Sequence, residues 1–353
     1  MDQGELMPTP APPPSILVLP ITDSCDGRCQ MCGIWRVKPR DPVSIDHLHC
    51  VFSDPYLSSR LTHINITGGE PLQHPDISGI ASILNSFCPL LQEVSLNTSG
   101  LNPREIERIP EFRQVLKGSV FLNVTLSIDG IGALHNRIRG VKTAWSSVVH
   151  SLTRIQDFAS TRKDLKPLIN FTISRENCNR QAILDIIQFS RQAKIDLSLT
   201  YGAVNDLYLR NNDSKILRFT LEPEDRAALS VTLVELLDDA GFSGTQKHFF
   251  HMLIQMLRGQ KRNTACVYQN YGVFLDLDGS VYPCGTAKHL SYGKLPEQSF
   301  EEIYAGANGD QIRSKLMSGV CPNCPSNSYY GLAKGVWLEV LRNSRGNNKT
   351  RKY

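Results

Sequence analysis

No apolar run in these 353 residues approaches the length of a membrane span, so no membrane is expected as a partner. No basic start followed by an apolar stretch and a small-residue cleavage site marks the chain for export. Charge of either sign is not in excess. Lys and Arg number 38 against 34 Asp and Glu, and the resulting +4 is too mild to argue for nucleic acid. The basic end (Arg345, Lys349, Arg351, Lys352) reads as a frayed tail. Without an export signal, the clustered thiols among the ten cysteines are expected as metal or redox ligands in a reducing compartment, which points to the cytoplasm. The length suits one large domain with an appended module.

What the sequence does have is clustered thiols. Cys25-Asp26-Gly27-Arg28-Cys29-Gln30-Met31-Cys32 spaces three cysteines as C-x3-C-x2-C, directly after an apolar run over 15–22 that reads as a strand. Three thiolates can hold three irons of a [4Fe–4S] cube and leave the fourth iron open for a ligand that is not protein. Against this stand a zinc site and plain loop cysteines. Zinc prefers paired C-x2-C knuckles with a nearby fourth ligand, and this spacing is less natural for it.

Strands are expected at 61–67, 93–97, 121–128, 168–173 and 195–201, separated by helices at 43–51, 76–87, 103–116, 145–158 and 181–193. Pro103 is well placed for a first helical turn. Six strands alternating with helices predict a parallel sheet with right-handed crossovers. The fold class is α/β, a partial (β/α)6 TIM-like barrel over 15–215 with a small C-terminal iron–sulfur module, and functional residues are expected at the C-terminal strand ends. Residues 1–14 read as a proline-stiffened disordered leader. Two helices, about 222–239 and 247–259, fill a linker over 216–261, and 329–353 reads as a helix and tail.

Cys266, Cys284, Cys321 and Cys324 fall within a module at 262–328, where Asp278-Gly279 marks a hairpin turn. Four thiolates can close a tetrahedral zinc site or ligate an iron–sulfur cluster, and spacing does not choose between them. Cys50, Cys88 and Cys178 are isolated and expected as small buried hydrophobes.

The cysteine loop resembles that of the radical S-adenosylmethionine (SAM) enzymes, C-x3-C-x-Φ-C with an apolar or aromatic Φ, here Met31. Gly68-Gly69-Glu70-Pro71 resembles the family's motif for the methionyl amino group of SAM. Glycines permit close backbone approach, and a carboxylate suits an ammonium. Ser127-Ile128-Asp129-Gly130 resembles the motif on the fourth strand, placing Ser127 and Asp129 toward the cofactor. Arg139 is the candidate clamp for the SAM carboxylate, with Arg137 competing. Asn97 and Asn170 are either cofactor or substrate contacts or ordinary polar strand residues. The second cysteine set resembles the twitch module, a shortened relative of the SPASM extension, in which four cysteines hold one auxiliary [4Fe–4S] cluster.

The resemblance implies a radical SAM enzyme of oxidoreductase type: a 5′-deoxyadenosyl radical takes a substrate hydrogen, with net oxidation or rearrangement. It implies three cofactors, namely the SAM-binding [4Fe–4S] cluster, SAM and the auxiliary cluster, and a flavodoxin- or ferredoxin-type electron donor. A small polar metabolite of aminocyclitol or sugar type is the expected substrate. The alternative is a ribosomally made peptide, disfavoured because 14 residues ahead of the first strand leave no room for a peptide-recognition domain. Tyr201, Asp206, Tyr208 and Arg210 are candidates for a substrate pocket or an exposed loop. A non-catalytic iron–sulfur or zinc scaffold is the reading from another class.

Overall fold

β1 (Ile16–Thr22) is apolar almost throughout, and all its residues except Val18 are buried, as a strand covered on both faces requires. It belongs to a computed structural model that describes residues 11–202, 221–262, 266–317 and 324. β2 (His63–Gly68), β3 (Glu93–Thr98), β4 (Phe121–Ser127), β5 (Leu165–Ile173) and β6 (Asp196–Tyr201) follow, each parallel to the strand before it.

Between them run α1 (Ile45–Phe52), α2 (Pro55–Ser58), α3 (Ile77–Phe87), α4 (Arg108–Val115), α5 (Ala133–Arg139), α6 (Ala144–Ser160) and α7 (Arg180–Ala193). Their starts are written in capping side chains: Ser44 accepts from His47 N, Asp76 from Gly79 N, and Asn179 from Ala182 N. The predicted apolar face of α3, Ile77, Ile80, Ile83 and Leu84, is buried. The helix expected from Pro103 begins later. Pro103 lies in a turn ahead of a 3-10 turn at Glu105–Glu107, and Pro110 takes the third position of α4, where a missing N–H costs nothing.

The strands alternate cleanly between two faces. Ile64 and Ile66, Val94 and Leu96, Leu122 and Val124, and Ile169 and Phe171 are at most 1% exposed and form the core with the helices. The other face is polar and half-buried: Asn65, Ser95, Asn97, Asn123, Ser127, Asn170, Thr172 and Thr200. Registers Asn65↔Ser95↔Asn123 and Ser127↔Asn170 place these residues side by side.

After α8 (Pro223–Leu237) and α9 (Gly244–Leu257), the chain returns to the same sheet. β7 (Gly272–Leu275) pairs in parallel with β1, Val18 opposite Phe274. β8 (Ser280–Tyr282) and β9 (Gly293–Lys294) extend the sheet antiparallel, in the order β6-β5-β4-β3-β2-β1-β7-β8-β9. The Asp278-Gly279 turn is present, Gly279 taking φ +85°. The sheet therefore does not stop at the boundary expected near 262. All four residues of β7 are buried, and an apolar strand of this kind needs a partner on its β1 side. α10 (Phe300–Ala305) and α11 (Ala307–Met317) close the described part. Residues 1–10 of the leader expected over 1–14, Asp206, Tyr208, Arg210, Cys321 and the segment 329–353 lie outside the described residues. No helix among the described residues is long and apolar enough to cross a membrane.

Candidate metal centre

The cysteine loop leaves the C-terminal end of β1 and is pinned by backbone contacts on two sides. On one side Gly69 N–H donates to Thr22 O and Glu70 N–H to Ser24 O, both at 2.7 Å. On the other, Arg28 N–H donates to Arg139 O at 3.0 Å and Gln30 N–H to Ile138 O at 2.9 Å, so the last turn of α5 cradles the loop. Gly140, in the left-handed region at φ +67°, lets the two approach: a Cβ there would lie 2.3 Å from Arg28 O. Trp35 Nε1 donates to Cys29 O at 3.0 Å from the far end of the loop.

Cys25 and Cys29 converge on Gly27. A Cβ at Gly27 would lie 3.3 Å from Cys29 Sγ and 3.5 Å from Cys25 Sγ. Burial, then the neighbouring Cys29 and Glu70, push the Cys25 thiol well above its ordinary range. Buried thiols set against each other are relieved by a metal that takes them as thiolates. Asp26 Oδ1 and Gln30 Oε1, in the same loop, and His135 Nε2 and Arg139 Nε, beside it, are buried polar atoms without a hydrogen-bond partner. Cys32 is half-buried, as is Met31. The donor chemistry and these orphaned atoms fit a cluster with a polar ligand. Among the described residues, no group of three or more His, Cys, Asp or Glu is disposed around a single metal ion.

The motif residues gather at the strand ends beside this loop. Gly68, at φ +131°, and Gly69 serve the loop itself: Cβ atoms there would meet Thr22 O at 2.3 Å and Ser24 O at 2.2 Å. Glu70 is 1% exposed and turned inward, its Oε2 accepting from Ser99 N at 2.8 Å and Ser99 Oγ at 2.7 Å. Burial raises its carboxyl to about 7 despite these bonds. Pro71 opens a 3-10 turn, Pro71–Gln73, capped by Glu70.

Asp129 is fully buried and ion-paired with Arg139 at 2.5 Å. Arg137 instead is more than half exposed and pairs with Glu176. Of the two competing arginines, Arg139 is the one beside the cysteine loop. Ser127 and Asn170 are register partners on the half-buried face, where Asn170 Nδ2 donates to Thr172 Oγ1 at 3.1 Å. Asn97 bonds Asn65 on the same face.

In the second set, Cys284 is pushed up to about 12 by burial, then by the neighbouring Cys266 and Cys324. Arg262 Nη1 donates to Cys324 O at 3.0 Å. Of the lone cysteines, Cys88 and Cys178 are buried as expected. Cys50 is exposed, contrary to expectation, because α1 turns Leu48, Val51 and Phe52 inward and leaves Cys50 on the outer side. It borders a cavity lined also by Asp54, Tyr56 and Pro296, near the starting ends of the strands and away from the thiol loop.

Three site features escaped sequence reasoning. His135, six residues beyond Asp129, accepts the Asp129 N–H at 3.2 Å. Ser99 holds Glu70. Arg40 joins Asp23 of the cysteine loop at 2.7 Å to Asp276 beyond β7 at 2.8 Å, and Lys288 also pairs with Asp276. Ser99 and Asp276 are distant in sequence from their partners, and the six-residue step from Asp129 to His135 is no recognised spacing.

A family model, SPASM, described as an iron-sulfur cluster-binding domain, matches residues 266–325. GTP 3′,8-cyclase 2 of Pseudomonas aeruginosa is 26% identical over 185 residues, 52% of this chain and 52% of that protein. The chain thus spans about half the length of this relative, and 33% and 42% of two further GTP 3′,8-cyclases. AdoMet-dependent heme synthase of Methanosarcina barkeri is 22% identical over 352 residues, covering 92% of this chain and 95% of that one. The resemblance to radical SAM proteins is thus shared by these relatives and by the SPASM match. The chain's partial barrel has the fold of anSMEcpe solved with AdoMet and the Cp18Cys peptide, at a TM-score of 0.63 and 16% identity, covering 95% of this chain and 100% of that one. Radical SAM proteins use a [4Fe–4S] cluster and SAM, and SPASM domains bind auxiliary iron–sulfur clusters.

Proposed function

We propose that Cys25, Cys29 and Cys32 ligate a [4Fe–4S] cluster whose open iron takes SAM, and that the chain oxidises a neutral, polar substrate. A cluster and SAM bound there would supply radical chemistry, the removal of a hydrogen atom from substrate carbon after one-electron reduction by an external donor. The convergence of Cys25 and Cys29 on Gly27, at the end of β1 and under the last turn of α5, carries this reading. Gly69 and Glu70 hold the loop from the β2 side. Ser127, Asp129, Arg139 and Asn170 present polar groups beside it for the amino-acid and ribose parts of SAM. Met31 and Pro71, in the same two loops, are assigned to the edge of this space by the resemblance.

The half-buried face of the sheet offers Asn65, Ser95, Asn123, Thr172 and Thr200, all neutral and all able to hydrogen-bond. Such a floor suits hydroxyl- and amide-rich substrates, and we assign a sugar-like metabolite. Cys266, Cys284, Cys321 and Cys324 give the chain a place for a second cluster as electron acceptor, which suits net oxidation. A flavodoxin- or ferredoxin-type protein is the expected electron donor, in the cytoplasm.

The test is anaerobic reconstitution followed by SAM and dithionite. The expected result is 5′-deoxyadenosine from the intact protein and none from Cys29→Ala. No 5′-deoxyadenosine from intact, iron-loaded protein overturns the radical reading. About eight irons per chain are expected for two cubes, and about four with zinc would overturn the second cluster. Deuterium transfer into 5′-deoxyadenosine from labelled sugars, against labelled peptides, separates the substrate classes.

A further inference from the structure

Behind Cys29 lies a small polar cluster in an otherwise apolar setting. Arg139, 8% exposed, directs Nη1 at Cys29 Sγ across 3.6 Å and Nη2 at Asp129 Oδ2 across 2.5 Å. Asp129 is itself anchored: its Oδ1 accepts the Thr172 N–H of β5 at 2.8 Å, and its carbonyl accepts from Asn177 Nδ2 at 2.9 Å. His135, fully buried, accepts the Asp129 N–H through Nδ1, which assigns its proton to Nε2. Burial and then Arg139 push the His135 imidazolium down to about 3, so the ring is neutral and Arg139 is the cation in contact with the loop thiol. The backbone carbonyl of Arg139 meanwhile accepts from Arg28 N–H, so one residue holds the loop and faces its sulfur.

We infer that Arg139 raises the reduction potential of the cluster ligated through Cys29, with Asp129 fixing its guanidinium against the sulfur. The inference rests on the cluster reading above and deepens it. Adding an electron to a cluster adds negative charge at its sulfurs, and a cation or N–H donor at a ligating sulfur stabilises that state. The effect is large here because the group is out of water, where charge–charge terms are screened least. Asp129 opposes it: its carboxylate offsets part of the guanidinium charge while setting its position. The two members of the pair therefore act on the potential with opposite sign, which a purely structural pair does not do.

The test is a potentiometric EPR titration, without SAM, of the anaerobically reconstituted full-length protein, following the signal that Cys29→Ala lacks. Arg139→Gln is expected to lower the midpoint, with the reduced-to-oxidised ratio at fixed poise falling about tenfold, or about 59 mV for one electron. Asp129→Asn, isosteric and leaving the guanidinium in place, is expected to raise it. Ratios within about twofold of the unaltered protein, or shifts of the same sign in both variants, overturn the inference. If one variant takes up no iron, the sign of the other decides. Failure of both to take up iron assigns the pair to loop assembly and overturns a role in potential. Absence of any such signal in the unaltered protein refutes the cluster reading, and the inference with it.

Discussion

Gly68 and Gly69 invite a ligand-binding explanation, but the atoms nearest their missing side chains are Thr22 O and Ser24 O of the cysteine loop. They let two strand-end loops lie in direct backbone contact, with Gly69 N–H and Glu70 N–H bonded across the gap. Gly69→Ala must move one of these loops. It is expected to destabilise the fold by about 1–3 kcal/mol, as overpacking does, and to lower the iron taken up on reconstitution, measured by denaturant unfolding and iron assay. The three thiols were legible because their spacing is local. The partner of Glu70 was not, because Ser99 stands on the next strand end and nothing in Gly68-Gly69-Glu70-Pro71 names it. Burial raises the Glu70 carboxyl to about 7, and its bonds to Ser99 brace the two strand-end loops against each other.

Among the elements, helices with local caps were legible to within a few residues, whereas the connections between loops were not. Arg40, in the segment between the cysteine loop and α1, bridges Asp23, whose side chain is 1% exposed, and Asp276, at 3%. Arg40→Ala leaves both carboxylates buried without it and is expected to destabilise by about 2 kcal/mol, below the range for fully buried pairs because the arginine side chain is 35% exposed. Burial alone would raise the Asp276 carboxyl, but Arg40 and Lys288 override it and hold it at about 2. A carboxyl depressed in the folded state binds protons less readily there than when unfolded. Its contribution is thus complete above about pH 4 and lost as pH falls toward 2. Lys288→Met is expected to move the midpoint of acid unfolding to higher pH, read by circular dichroism.

At the scale of the molecule, alternation of strands and helices predicted the six-strand parallel sheet, and the registers bear it out. The pairing of β7 with β1 was hidden, since four apolar residues more than two hundred positions away carry no sign of their neighbour. Removing residues 262–353 uncovers the β1 edge. Lower soluble yield and faster hydrogen exchange of β1 amides are expected, and unchanged exchange would show that β1 does not depend on β7.

The same pairing has a consequence for how the protein is made. Roughly 250 residues separate Val18 from Phe274, so at ribosomal rates β1 waits on the order of ten to fifty seconds for its second neighbour. Throughout that interval the loop bearing Cys25, Cys29 and Cys32 hangs from an unfinished strand edge. Arg40 likewise has no Asp276 to reach until 236 further residues have been added. For the cluster proposed at this loop, loading is therefore expected to come late, after β7 has paired with β1.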